Sequence, residues 1–471
     1  MKLIFIILFT FFSLFPLLTD AQGHRIQIKI NGLKNSNVLL GYYLGDKKYI
    51  LDSAKTNQEG IFDFKGEKVL EQGLYILILQ NKTFLDFPVT EDQDFAMLTD
   101  SAFLVMSLKI KGSKENAAFS DFQKNMTYSQ KLSAGLRQRL MNNKSNSDSS
   151  RILNDKLQAI KKDLDKFNAK IIRENPNTFT AKFIKATQEI EVPEPPRDAK
   201  GNITDSLFQY LYYKNHYFDN IDFTDERLMR SPFLQSKIDI FFNKVAIQIP
   251  DSILKEIDAL IARAGKNQKM QRFLTAGLLN FYERNKYMGM ENVIVGIADA
   301  YYFSGKASWA DTTFLRKLKD RVEKMRPNLM GKEGPDLQRL ETNTGEWASL
   351  SMMKTDAIIL VFWEPNCNHC QKVMPKLHQL YTKYKEKGLS VFAFYTQHDT
   401  VEWKKFIEQH DLTDWINVYD RHNLTNFRNL YDVFTTPTIY ILDKKRTIIA
   451  RKIDVEAIDK FLMHYFEEFK K

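Results

Sequence analysis

Cys367 and Cys370 are the only cysteines in this chain of 471 residues, and only Asn368 and His369 separate them. A structural disulfide usually joins distant segments, and a loop this short adds little stability. A Cys-x-x-Cys pair with no other thiol points instead to thiol–disulfide exchange, in which one sulfur attacks and the other releases the mixed disulfide. The same pair could be half of a zinc site. The other half is missing, because no further cysteine exists and His378 and His398 do not stand at ligand spacing. We therefore expect no metal and no dissolved cofactor; the sulfurs carry the electrons.

Such chemistry needs a strand that ends beside the pair and a helix that begins on it. Ala357 to Trp363 is a continuous apolar run, as a buried central strand requires, and Cys370 to Lys385 reads as a helix, with Pro375 expected to kink it. A thiolate at a helix N-terminus is stabilised by unpaired backbone N–H groups and by the positive end of the helix dipole. Cys367 is thus the expected exposed nucleophile and Cys370 the shielded resolving thiol. His369 could favour the Cys367 thiolate by a hydrogen bond or by a nearby positive charge. Farther on, Thr436-Pro437-Thr438 precedes a strand. An X-Pro bond there could be cis, and a proline leaves its neighbour's backbone free to pair with an extended substrate. Thr436 and Pro437 are candidate substrate-binding residues. Trp363 joins them, with strand-end packing as its simpler account, as for Phe362.

The positioning elements extend further. Leu389 to Tyr395 reads as a second buried strand and Val401 to His410 as a helix. Thr438 to Leu442 and Thr447 to Lys452 read as paired strands, and Glu456 to Phe469 as a closing helix. This alternation implies an α/β sheet covered on both faces. Residues 22–112 differ: short runs such as Ile26 to Ile30, Val38 to Tyr43, Gly60 to Phe64 and Leu74 to Leu79 predict an antiparallel β-sandwich-like domain. Residues 113–325 carry apolar residues at three-four spacing, in Asp148 to Asn175, Ser252 to Ala264 and Lys269 to Asn285, and predict an all-α domain. Val192 to Gly201 is a proline-rich loop. The aromatic cluster Tyr210, Tyr212, Tyr213, His216, Tyr217 and Phe218 reads as a helix packing into a core, with a ligand groove as the alternative. A linker near 326–335 opens the last domain, 326–471. The fold class is multidomain: β-sandwich-like, all-α, then α/β.

The segment Val361-Phe-Trp-Glu-Pro-Asn-Cys-Asn-His-Cys-Gln-Lys-Val-Met-Pro375 resembles the active-site segment of thioredoxin. Its surroundings are similar to the exported, TlpA-like branch of the thioredoxin-like thiol-disulfide oxidoreductases. Gly334-Pro-Asp-Leu337 resembles the lead-in strand of that branch, and Gly345 to Leu350 the turn after it. The stretch between Cys370 and Pro437 leaves room for its additional strand–helix insertion. The two upstream regions resemble uncharacterised domains that often precede a TlpA-like domain in exported Bacteroidetes proteins. The resemblance implies a thioredoxin fold for 326–471, protein thiols and disulfides as partners, and a recycling redox partner, a membrane-bound one among the candidates.

This chain also departs from the family. Thioredoxins place a buried acid before the Phe-Trp pair, where Val361 stands here; some exported relatives place one three residues after the second cysteine, where Val373 stands. Neither proton relay is present. Asn368-His369 replaces Gly-Pro, and a His before the second cysteine resembles the strongly oxidising Dsb-type arrangement. Glu364, three residues before Cys367, differs from the Thr of peroxidatic sites. The reading of another class is a non-enzymatic cell-envelope binding or scaffold protein with an accessory thioredoxin-like domain.

The totals fit an ordinary globular chain. Hydrophobic residues make up 44% and charged residues 27%. The net charge of +10 is spread thinly, without a basic run that suits nucleic acid. Met1-Lys2, the apolar stretch Leu3 to Leu18 and the small residues Thr19 and Ala21 read as a signal peptide over residues 1–21. A periplasmic or cell-envelope location is therefore expected.

Overall fold

Ile26, Ile28 and Ile30 alternate with polar residues and are wholly buried, which is the period-two pattern of a strand with one face in a core. They form β1 (His24–Asn31) in a computed structural model that describes residues 23–142, 147–285 and 287–468. The segment read as a signal peptide lies outside the described residues. Seven further strands follow: β2 (Asn37–Leu44), β3 (Lys47–Lys55), β4 (Ile61–Gly66), β5 (Gly73–Leu79), β6 (Phe84–Val89), β7 (Asp94–Asp100) and β8 (Lys109–Lys111). They make two four-stranded sheets, β4-β1-β7-β8 and β3-β2-β5-β6, whose inward residues share one core. The expected sandwich is present. Its pairing is antiparallel except between β1 and β7, which run parallel.

The helical region comprises α1 (Lys114–Asn142), α2 (Ser147–Glu174), α3 (Phe179–Thr187), α4 (Phe208–His216), α5 (Pro232–Ile240), α6 (Pro250–Arg263), α7 (Gln268–Arg284), α8 (Glu291–Ile297) and α9 (Thr312–Met325). Of the aromatic cluster, Tyr217 and Phe218 enter the core, whereas α4 itself buries no residue fully. Among the described residues no helix is long and apolar enough to cross a membrane.

From residue 340 the chain builds an α/β layer structure: β9 (Leu340–Thr342), β10 (Trp347–Ala348), β11 (Ala357–Trp363), α10 (Asn368–Tyr384), β12 (Leu389–Tyr395), α11 (Thr400–Gln409), β13 (Ile416–Tyr419), α12 (Phe427–Leu430), β14 (Thr438–Asp443), β15 (Ile448–Arg451) and α13 (Val455–Glu468). The sheet order is β10-β9-β13-β12-β11-β14-β15. All seven residues of β11 are buried, since β11 pairs in parallel with β12 and antiparallel with β14. Ala357, Ile359, Val361 and Trp363 face the core that holds Cys370, and Ile358, Leu360 and Phe362 face the opposite one. The lead-in segment 334–337 is irregular; the strand expected there begins at Leu340. Helix α10 runs unbroken through Pro375.

Packing divides the chain into two units: residues up to Val245 with Ala264–Met270, and Ala246–Arg263 with residues from Gln271 onward. The last helices before the linker thus belong to the same unit as the C-terminal sheet. Within that unit Arg451 is buried and fully engaged. Its Nε donates to the Asn328 backbone oxygen at 3.1 Å and to Asn328 Oδ1 at 2.9 Å. Its remaining nitrogens pair with Glu291 of α8 and, at 3.1 Å, with Asp432. Lys452 reaches the same Asp432 oxygen at 2.6 Å.

Candidate active site

Cys367 is placed by the end of β11 and the start of α10. It is the N-cap of that helix, with extended backbone at φ −90° and ψ 116°, and its sulfur accepts the Cys370 backbone N–H at 3.2 Å. A sulfur here meets N–H groups that the first helical turn leaves without carbonyl partners. On the other side Cys367 Sγ donates to the Thr436 carbonyl at 3.3 Å. Thr436 precedes Pro437 across a cis peptide bond. Cys367, Thr436 and Pro437 are each half-buried, whereas Cys370 is completely buried. Both cysteines are free thiols in this structure.

The two thiols have opposite acidities. Burial alone would raise the pKa of Cys367, but hydrogen bonds outweigh it. They come from Cys370, through its side chain and backbone, from the Thr436 side chain and from the His369 backbone, and they hold Cys367 below the ordinary thiol value. Burial pushes Cys370 up to about 12, and its hydrogen bond to Cys367 adds to the rise. Cys367 is thus the more readily deprotonated of the two, while Cys370 is kept protonated.

The sequence-derived site residues separate into two groups. Cys367, Cys370, Thr436 and Pro437 come together. His369 stands between the cysteines, but its side chain is exposed, and it is its backbone that bonds Cys367. Trp363, expected among the substrate-binding residues, is fully buried, its ring 5.0 Å from Phe406 and 6.5 Å from Tyr395. It packs beneath the site and presents no exposed surface, because β11 is buried along both faces. Among the described residues no three His, Cys, Asp or Glu side chains are grouped to hold a metal ion.

Two site residues are absent from the sequence-derived set. The carboxylate of Glu364, half-buried just past β11, accepts the Thr436 hydroxyl at 2.7 Å and Gln397 Nε2 at 2.9 Å. The signal available in the sequence was an acid directly after Phe362-Trp363, where a strand ends. Gln397, just past β12, carried no signal, since its place follows from strand pairing alone.

A central β11, a helix capped by the first of two thiols and a cis-proline loop against that thiol define a thioredoxin-like fold. Residues 355–448 match the thioredoxin-like family model, and this part of the chain belongs to that family. Upstream, residues 24–119 match a domain of unknown function, DUF4369, and residues 141–328 another, DUF5106. Among curated proteins, the thiol-disulfide oxidoreductase ResA of Bacillus cereus is 33% identical over 79 residues, which is 17% of this chain and 45% of that protein. ResA of Bacillus anthracis is 33% identical over 78 residues, 17% of this chain and 44% of that one. The chain thus spans about half the length of the curated relatives it matches. Similar solved structures include a domain of a possible thiol-disulfide isomerase from Cytophaga hutchinsonii, with 38% identity, 30% of this chain and 96% of that one covered, and a TM-score of 0.29. A thioredoxin-like protein from Bacteroides caccae has 22% identity, 59% and 98% coverage, and a TM-score of 0.44.

Proposed function

We propose that this chain is an exported thiol-disulfide oxidoreductase that exchanges disulfides with protein partners through Cys367 and Cys370. The observation that carries the reading is the division of labour between the sulfurs: one at the helix N-cap, half-exposed and acidified, the other buried behind it and protonated. In the reducing direction the Cys367 thiolate attacks a client disulfide. The client S–S bond breaks, a mixed disulfide forms on Cys367, and the departing client thiolate takes a proton from water. Cys370, once deprotonated, attacks Cys367; the Cys367–client bond breaks, the Cys367–Cys370 disulfide forms, and the second client sulfur leaves as a thiol. The client gains two electrons and the pair loses two. The oxidising direction is the reverse, and a second redox protein returns the pair to its starting state.

Thr436 and Pro437 flank the sulfurs and are assigned the client backbone. Domains at 22–112, 113–325 and 326–471, an apolar leader over 1–21 and a cell-envelope location complete the proposal; the leader composition supports export. The test is turnover of insulin disulfides with a dithiol reductant. The wild-type chain should reduce insulin, Cys367→Ser should be inactive, and Cys370→Ser should hold an insulin chain on Cys367 as a reductant-sensitive adduct seen by mass. No adduct on Cys370→Ser and no turnover by the wild type would refute the reading.

A further inference from the structure

Two residues before Thr436, Phe434 stands 67% exposed, a large apolar ring left in water beside the residue whose carbonyl touches Cys367. The same ring forms part of the wall of a cavity of about 540 Å³. Much of the remaining wall comes from the stretch that matches DUF5106: Tyr282 of α7, Met290 and Ile294 around the start of α8, and Met325 of α9, all of them buried. We propose that this cavity takes an aromatic side chain of the client, two residues from the client cysteine, and so gives the helices before the linker a part in choosing clients. The inference rests on the exchange activity proposed above.

The spacing follows from extended backbone. A client strand laid along the loop advances about 3.3 Å per residue and points alternate side chains the same way. With its cysteine opposite Thr436, the side chain two positions along comes level with Phe434 and the cavity mouth. The loop is held ready for this contact. Asp432, two residues before Phe434, accepts from Arg451 Nη2 at 3.1 Å and from Lys452 Nζ at 2.6 Å. Arg451 is anchored in turn on Asn328 and Glu291. A surface fixed in advance loses less freedom when it binds.

The chemistry of the wall favours a ring. Lys324 Nζ of α9 lies 5.6 Å from the centre of Phe434 and Lys452 Nζ 6.0 Å from it. Two ammonium groups are thus already at cation–π distance, within reach of a second ring stacked on the first. Met290 and Met325 add thioethers, which pack well against aromatic edges. An acidic client residue is a poorer fit, because among the described residues the lining cations are matched by acids. Lys324 has Asp320 at 2.9 Å, Arg321 has Glu283 at 3.2 Å, and Arg451 and Lys452 share Asp432.

The test uses the reduced full chain and short peptides whose single cysteine carries thionitrobenzoate. Cys367 attacks the peptide sulfur, the bond to thionitrobenzoate breaks, and the released chromophore reports the rate. Trp, Leu, Glu or Ala is placed two residues before or two residues after the peptide cysteine. In one of the two positions Trp should raise the second-order rate constant over Ala on the order of tenfold, the weight of an aromatic pair with a cation–π contact, with Leu between them. Phe434→Ala should bring the ratio of Trp to Ala close to one. Lys324→Met keeps the apolar stem and should bring Trp down toward Leu. Each variant is read as a ratio of two peptides, so a general loss of activity does not imitate the result. Equal rates for Trp and Ala in both positions, a ratio unchanged in Phe434→Ala, or a preference for Glu would overturn the cavity as a client site and leave the exchange activity standing. A wild type that reacts with every peptide no faster than Cys367→Ser would instead refute the exchange activity.

Discussion

The Sγ of Cys367 lies 3.3 Å from the carbonyl oxygen of Thr436, although the two residues stand 69 positions apart in sequence. The sheet makes this contact: β11 ends at Trp363, and β14 begins at Thr438 as its antiparallel neighbour, so the Cys367 loop and the cis-proline loop emerge side by side. The contact seats the Cys367 sulfur against the cis-proline loop.

Alkylation of Cys367 by iodoacetamide should follow a midpoint below the ordinary thiol value of about 8.5, while Cys370 remains unmodified in the native protein. Cys370→Ala removes one hydrogen bond from the Cys367 sulfur and should move the midpoint up. The stability effect has a definite sign. A depressed folded-state value stabilises the reduced fold above the unfolded thiol's pKa, and that gain is lost as pH falls through the folded value. A rate profile identical to that of an unfolded peptide would contradict this.

His369→Pro and His369→Ala should behave differently. The link from His369 to the Cys367 sulfur is its backbone N–H, which proline lacks and alanine keeps. Proline is tolerated in a first helical turn. His369→Pro should raise the Cys367 pKa and lower the reduction potential by roughly 30 mV, the equivalent of one charge-assisted hydrogen bond of about 1.4 kcal/mol. His369→Ala should stay near wild type. Equal shifts in both variants would assign the effect to the ring instead.

Arg451→Met should destabilise the unit that holds the C-terminal sheet. Arg451 is 3% exposed and pairs with Glu291 and Asp432, so its removal leaves two carboxylates short of a partner. Breaking a buried pair in this way costs about 3–5 kcal/mol; Lys452 remains beside Asp432 and should hold the loss to the lower part of that range. Denaturant midpoints measure it. A fragment starting at residue 326 also lacks Glu291 and should melt earlier than the same residues in the full chain.

Trp363→Phe should lower stability and leave the insulin KM unchanged, because the ring is wholly buried against Phe406 and Tyr395. Core truncations of this kind cost on the order of 1–3 kcal/mol. A raised KM at unchanged stability would return Trp363 to the client surface.

How much of this was legible in the sequence depended on locality. The apolar run of β11, the helix after it and the cysteine pair at their junction are local patterns, and they appear where the residues indicated. The sandwich was legible from alternation in β1, β2, β4 and β5, but β3 carries mostly exposed residues and gave no such pattern. The parallel pairing of β1 with β7 depends on residues far apart in the chain, which periodicity cannot report. The burial of Trp363 was legible as well, since the residue closes the continuous apolar run read as a buried central strand. Glu364 and Gln397 meet Thr436 only because three strand ends converge, and no local spacing encodes that meeting.

The most direct test of the central claim is a redox titration of the purified chain in glutathione buffers, read by mass after alkylation, with Cys370→Ser as control. The account predicts a reversible two-electron transition between free thiols and a Cys367–Cys370 disulfide that the control lacks. A midpoint near about −270 mV would mark a reductant and one near about −120 mV an oxidant. Absence of any reversible couple between the two cysteines would contradict the account.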